Sequence, residues 1–131
     1  MEEWDKYFSE GLAYCKAATG AKEKNKLGNI VIYNTIGLAL ESLLMSVLSR
    51  SNKLPHHSTI GNMLREIKKL KPVSEEFFTE ARFFNSFMNF CSLEVMAERV
   101  PTDDEITRMI SFVVSLKEWA GKEVYADHES V

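Results

Sequence analysis

The chain is poor in the residues that build stapled, turn-rich or metal-bound folds. Its 131 residues include two cysteines, Cys15 and Cys91, which form no disulfide framework and no metal-ligand spacing. Six glycines and three prolines are too few for a small β protein, so helices become the default. No apolar run reaches the about 18 residues that a membrane span needs. The opening Met1-Glu2-Glu3-Trp4-Asp5 has neither the basic start nor the apolar stretch of a signal peptide, and a cytoplasmic location is expected. What is present is an ordinary globular composition, 45% apolar and 27% charged. That excludes wholesale disorder and, at this length, points to a single domain over residues 1–131.

The formal net charge of −3 hides an asymmetry. From Arg50 to Lys71 there are six basic residues (Arg50, Lys53, Arg65, Lys68, Lys69, Lys71) against one acidic, Glu66. From Glu75 to Glu105 there are eight acidic residues against two basic, Arg82 and Arg99. A charge-separated surface follows, and the whole-chain pI of about 5.6 describes no single face.

Hydrophobic periodicity predicts five helices. The first carries the seam Trp4, Phe8, Leu12, Cys15, Ala18 and is expected to end near Thr19-Gly20, with Gly20 left-handed at its C-terminus, before a charged connector over 21–26. The second, about Leu27 to Ser49, is apolar almost all round and belongs at the centre of a bundle. A short basic helix over about Thr59 to Leu70 has Ser58 or Thr59 as its N-cap and Pro72 beyond its end. The fourth starts with Ser74 as N-cap, flanked by Val73 and Phe78 as a hydrophobic staple, and is expected to reach about Arg99 before Pro101. Thr102-Asp103-Asp104-Glu105 is a capping box opening a fifth helix to near Tyr125, with a frayed tail from Ala126. The fold class is therefore all-α, an up-and-down bundle of about five helices.

The order of elements resembles the HEPN family (higher-eukaryote and prokaryote nucleotide-binding domain) across nearly the whole chain. The resemblance rests on Ala39-Leu40-Glu41-Ser42-Leu43-Leu44 in the apolar helix and on Leu54-Pro55-His56-His57-Ser58-Thr59 before the short helix with Met63-Leu64. It rests also on Glu98-Arg99-Val100-Pro101 before the capped last helix. It implies a HEPN-like bundle that dimerises, often beside a nucleotidyltransferase partner in a toxin–antitoxin pair. Active members of the family are metal-independent ribonucleases that use Arg, four to six residues, then His near a late helix. Here Arg99 and Arg108 have no such His, His128 in the tail being the only downstream histidine, and the departure argues against nuclease activity.

Elsewhere, Arg50 and His56 are separated by five residues. This gives a candidate ribonuclease set of Arg50 for the phosphate and His56 or His57 as acid/base. A solvated Arg at a helix end and a loop His pair is the plainer reading. Adjacent His56 and His57 rarely converge on one ion, and nothing calls for a metal or another cofactor. Glu41 on the apolar helix is expected to be buried and paired with Arg82 or Arg99. Arg65, Lys68, Lys69 and Lys71 form a basic helix face suited to nucleotide or RNA phosphates, or simply to solvent. Six of the eight phenylalanines lie between Phe77 and Phe90. Phe77 and Phe84 fall on a core stripe, and Phe83, Phe87 and Phe90 are the candidate homodimer interface. The expected function is a dimeric partner-binding or nucleotide/RNA-binding module. The alternatives are the Arg50–His56/His57 ribonuclease and an interaction bundle with no nucleic-acid role.

Overall fold

A computed structural model describes residues 2–24, 28–53, 59–87 and 100–129, with side chains as far as residue 126. The helices are α1 (Glu3–Lys24), α2 (Asn29–Arg50), α3 (Ile60–Lys68), α4 (Glu75–Asn85) and α5 (Asp103–Glu129), and there is no strand among the described residues. The all-α bundle expected from the sequence is what forms. α2 is its axis, with α1 and α5 packed along it and α3 and α4 closing the remaining side. By length and composition alone α2 is apolar enough to cross a membrane, but half of that stretch is buried in the bundle, where its apolar character is used. The β-branched start of α2 is helical because Ile32, Tyr33 and Ile36 are buried there, and burial outweighs local propensity.

α1 meets α2 through a glycine. The buried seam is Trp4, Phe8, Gly11, Cys15 and Ala18, while Leu12, expected in that seam, is 39% exposed. A Cβ on Gly11 would lie 2.7 Å from Leu43 Cδ2 and 3.2 Å from the Leu43 backbone nitrogen. A side chain at position 11 would therefore force the two helices apart. Gly20 does not end α1. It lies inside the helix, where an added Cβ would meet nothing within 4 Å, and without positive φ. Ala18 and Ala21 keep that turn against the core, and Lys22 and Lys24 complement the negative end of the helix dipole.

The starts of α3, α4 and α5 follow their caps. Thr59 Oγ1 accepts from the Asn62 amide at 3.1 Å, and Ser74 Oγ accepts from the Glu76 amide at 3.1 Å. Val73 and Phe78, the expected staple pair, are both buried. The capping box of α5 is reciprocal: the Glu105 amide donates to Thr102 Oγ1 at 3.2 Å and the Thr102 amide to Glu105 Oε1 at 2.9 Å. Asn29 Nδ2 donates to the Pro101 carbonyl (2.9 Å) and to Asp103 Oδ1 (2.8 Å), which pins the start of α2 to the start of α5. α5 stays helical to Glu129 instead of fraying from Ala126. α4 ends at Asn85 with Ser86 and Phe87 in a turn, and its expected continuation lies outside the described residues.

Aromatic rings hold α4 between α2 and α5. Tyr33 stacks on Phe84 with centroids 4.4 Å apart and donates its hydroxyl to the Phe84 carbonyl at 2.9 Å. Burial pushes the Tyr33 phenol well above its ordinary pKa, so it stays a donor. On the other side Phe77 meets Phe112 and Trp119. The two helical glycines of α1 respond oppositely to one methyl group. Gly11→Ala should cost about 1–3 kcal/mol in urea unfolding through overpacking. Gly20→Ala should gain about 0.5–1 kcal/mol by restricting the unfolded chain.

Candidate functional site

Each cation of the basic α3 face has a partner at hand. Arg65 donates to Asn62 Oδ1. Lys69 pairs with Glu66 at 2.8 Å, and that hydrogen bond, then the lysine charge, holds the Glu66 carboxyl below its ordinary pKa. Lys68 pairs with Glu75, the first residue of α4, at 3.0 Å and lies 5.4 Å from the Phe78 ring centroid. Lys71 departs from the group: its ammonium turns to Glu123 of α5, 3.2 Å away, in a half-buried pair. The expectation that all four cations share one face is corrected here, because Lys71 follows the end of α3 and is recruited by α5.

A cation from α4 takes its place. Arg82 lines, with Arg65, Lys68, Lys69, Glu75 and Phe78, an open depression of about 440 Å³ between α3 and α4. The expected pairing of Arg82 with Glu41 does not occur, since Glu41 is exposed on α2 and needs no buried partner. The signal for Arg82 was its position one turn after Phe78: the buried Phe78 orients that side of α4 towards α3.

Arg50 is engaged inside the chain. Its Nε donates to the Val124 carbonyl at 3.1 Å, and its guanidinium carbon lies 5.3 Å from the Trp4 ring centroid. Trp4 and Phe8 both meet the Tyr125 ring edge-on, so this cluster ties the end of α2 to the start of α1 and the last turns of α5. His56 and His57, the other candidate catalytic residues, lie outside the described residues, as do Arg99 and Phe90.

The aromatic candidates for an interface also turn inward. Phe87 is only 7% exposed, 5.8 Å from Tyr33 and 5.5 Å from Phe83 by ring centroids, so its expected orientation away from the core is corrected. Phe87 stands in the turn after Asn85, three residues beyond Phe84, and like Phe84 it lies against Tyr33 of α2. Phe83 is half-buried beneath Arg108, whose guanidinium carbon is 3.8 Å from the ring centroid. Arg108 also grips Glu80 with two parallel bonds, 2.9 and 2.8 Å.

A second hollow, of about 480 Å³, opens between α2, the start of α3 and the end of α4. Tyr33, Gly37, Leu38, Met63 and Phe84 supply its apolar wall, and among the described residues Glu41 is its only charged lining residue. A Cβ on Gly37 would press on the Phe84 ring at 3.3 Å. Among the described residues no cation lines this hollow.

No protein-family model matches the chain, and no curated protein matches it. Among solved structures, an archaeal HEPN homologue superposes with a TM-score of 0.72, over 95% of this chain and 99% of that one, at 11% sequence identity. The fold is HEPN-like. At this identity the likeness concerns helix arrangement, and the chemistry has to be read from this chain's own side chains.

In this HEPN-like bundle Arg50 reads as a tie between three helices. Arg50→Ala should destabilise the protein by roughly 1–2 kcal/mol through lost packing and cation–π contact. In a Trp119→Phe background it should also shift the Trp4 emission to longer wavelength. Unchanged stability and emission would return Arg50 to the list of ligand-binding candidates.

Proposed function

We propose that this HEPN-like domain is a binding module that takes phosphate-bearing ligands, nucleotides or the RNA backbone, in the α3–α4 depression. The observation that carries the reading is the convergence of Arg65, Lys68, Lys69 and Arg82, from the α3 and α4 segments, on one hollow with Glu75 as its only carboxylate among the described residues. Two arginines supply planar forks for phosphate oxygens, and two lysines supply mobile point charges. The existing pairs do not close the site. Lys68–Glu75 and Lys69–Glu66 are largely exposed, and exposed ion pairs contribute only about 0–1 kcal/mol each. A multiply charged phosphate competes with them on favourable terms. The ribonuclease alternative assigns the phosphate to Arg50, whose Nε is already given to the Val124 carbonyl, and we therefore place the phosphate at α3.

The test is binding of a labelled single-stranded RNA at increasing salt. Lys68→Glu/Lys69→Glu should weaken affinity by about tenfold or more and flatten the salt dependence, because each lost phosphate contact removes released counterions. Arg82→Glu should act in the same direction, and Lys71→Ala should not. Salt-independent binding, or equal affinity in the double variant, would overturn the reading. RNA cleavage that disappears in His56→Ala/His57→Ala would restore the ribonuclease alternative.

A further inference from the structure

α1 and α5 each pack more extensively on α2 than on one another, and the space left between them is a furrow. The two helices run antiparallel there. Burial raises the Cys15 thiol pKa and the nearby charge of Lys117 opposes it, Gly121 lies against Phe8, and Tyr125 meets the rings of Phe8 and Trp4. Phe8, Leu12, Gly121 and Tyr125 line the apolar part of the furrow, with Lys117 and Lys122 beside them, around a volume of about 780 Å³. Leu12 is 39% exposed and Tyr125 44%, so both walls leave apolar surface in water.

Internal packing does not call for the glycine in this furrow. Gly121 stands in the interior of α5 without positive φ, where glycine is less favourable than alanine. An added Cβ would lie 3.4 Å from Phe8 Cζ, an ordinary contact, whereas one on Gly11 would be driven into Leu43. The missing side chain instead leaves the Phe8 ring as the floor of the furrow. On the α5 wall Lys117 and Tyr125 stand one turn to either side of that gap.

Shape and charge together select an occupant. The furrow is open to solvent, and from Lys117 to Ala126 its α5 wall spans roughly 14 Å at the helical rise. A small molecule lying in it would keep much of its surface wet. A helix has only one stripe to bury, and a few turns of one cover this length. Lys117 and Lys122 form no ion pair among the described residues, and Glu118 is the only lining carboxylate among them. The local balance is thus positive on a chain whose net charge is −3. We infer that the α1–α5 furrow docks a short acidic amphipathic helix of a partner protein. Its apolar stripe meets Phe8, Leu12 and Tyr125, and its flanking carboxylates meet Lys117 and Lys122. This surface shares no residue with the α3–α4 depression and does not depend on the phosphate reading.

The probe is a fluorescein-labelled synthetic helix with leucines at alternating three- and four-residue spacing, flanked by glutamates. It should bind the full chain, and the same peptide with lysines in place of the glutamates should not. Gly121→Gln, which sets a side chain over the Phe8 floor, should weaken binding by about tenfold or more with an unchanged helical circular dichroism spectrum. Leu12→Gln should act in the same direction. Lys122→Glu should weaken binding of the acidic peptide and admit the basic one, an exchange that general stickiness does not produce. Lys68→Glu/Lys69→Glu should leave peptide affinity unchanged, so failure of the phosphate reading and failure of this one are told apart. Absence of binding by the acidic peptide, equal binding of both peptides, or indifference to Gly121→Gln would overturn the proposal. So would binding of phosphatidylglycerol vesicles, lost in Gly121→Gln, by a chain that ignores the peptide, since the furrow would then serve an anionic lipid surface.

Discussion

Excluding water from α2 is the constraint to which the other helices answer. Ten of its residues are buried, so neighbours must be supplied on most of its circumference. α1 is the most extensive of them and comes so near that Gly11 has no room for a methyl group beside Leu43. α5 lies along another side, fixed at one end by Asn29 bonding to Pro101 and Asp103 and at the other by Arg50 bonding to Val124. α3 and α4 are short and close what remains, with α4 held by the Tyr33–Phe84 stack.

The same arrangement separates two kinds of surface. The α2 face is nearly uncharged, while the α3–α4 side gathers cations with acids beside them. Both follow from the division of labour along the chain: α2 spends its sequence on apolar contacts, and the charge asymmetry after Arg50 falls on the short helices that cover it. The cation from α4 matters because it turns a basic helix into a concave site.

Helix existence was legible because its signals are local. Thr59, Ser74 and the Thr102–Glu105 box act within three residues of themselves, and the apolar periods of α2 and α5 are long. What escaped the sequence depends on distant partners. Gly20 looks like a stop in isolation, but Ala18 and Ala21 carry the helix past it. Leu12 fits the α1 seam by spacing, yet only the smaller Gly11 permits the approach of Leu43. Glu41 sits in an apolar run and still faces solvent, since the burial pattern of α2 is broad and not complete. Lys71 belongs by position to the basic run, and a glutamate fifty-two positions later withdraws it. Half of the candidate site, Arg65, Lys68 and Lys69, was visible as a run of charge. Arg82 was not, because only packing of Phe78 reveals which way that turn of α4 faces.

Glu75 has two claims on its charge. It pairs with Lys68, and as the first residue of α4 it also stands at the positive end of that helix, beside amides that have no carbonyl of their own to meet. If an arriving anion takes the lysine, the carboxylate keeps this second source of stabilisation. The lysine can therefore change partners without stranding an acid, and α4 keeps its start whether the hollow is empty or filled.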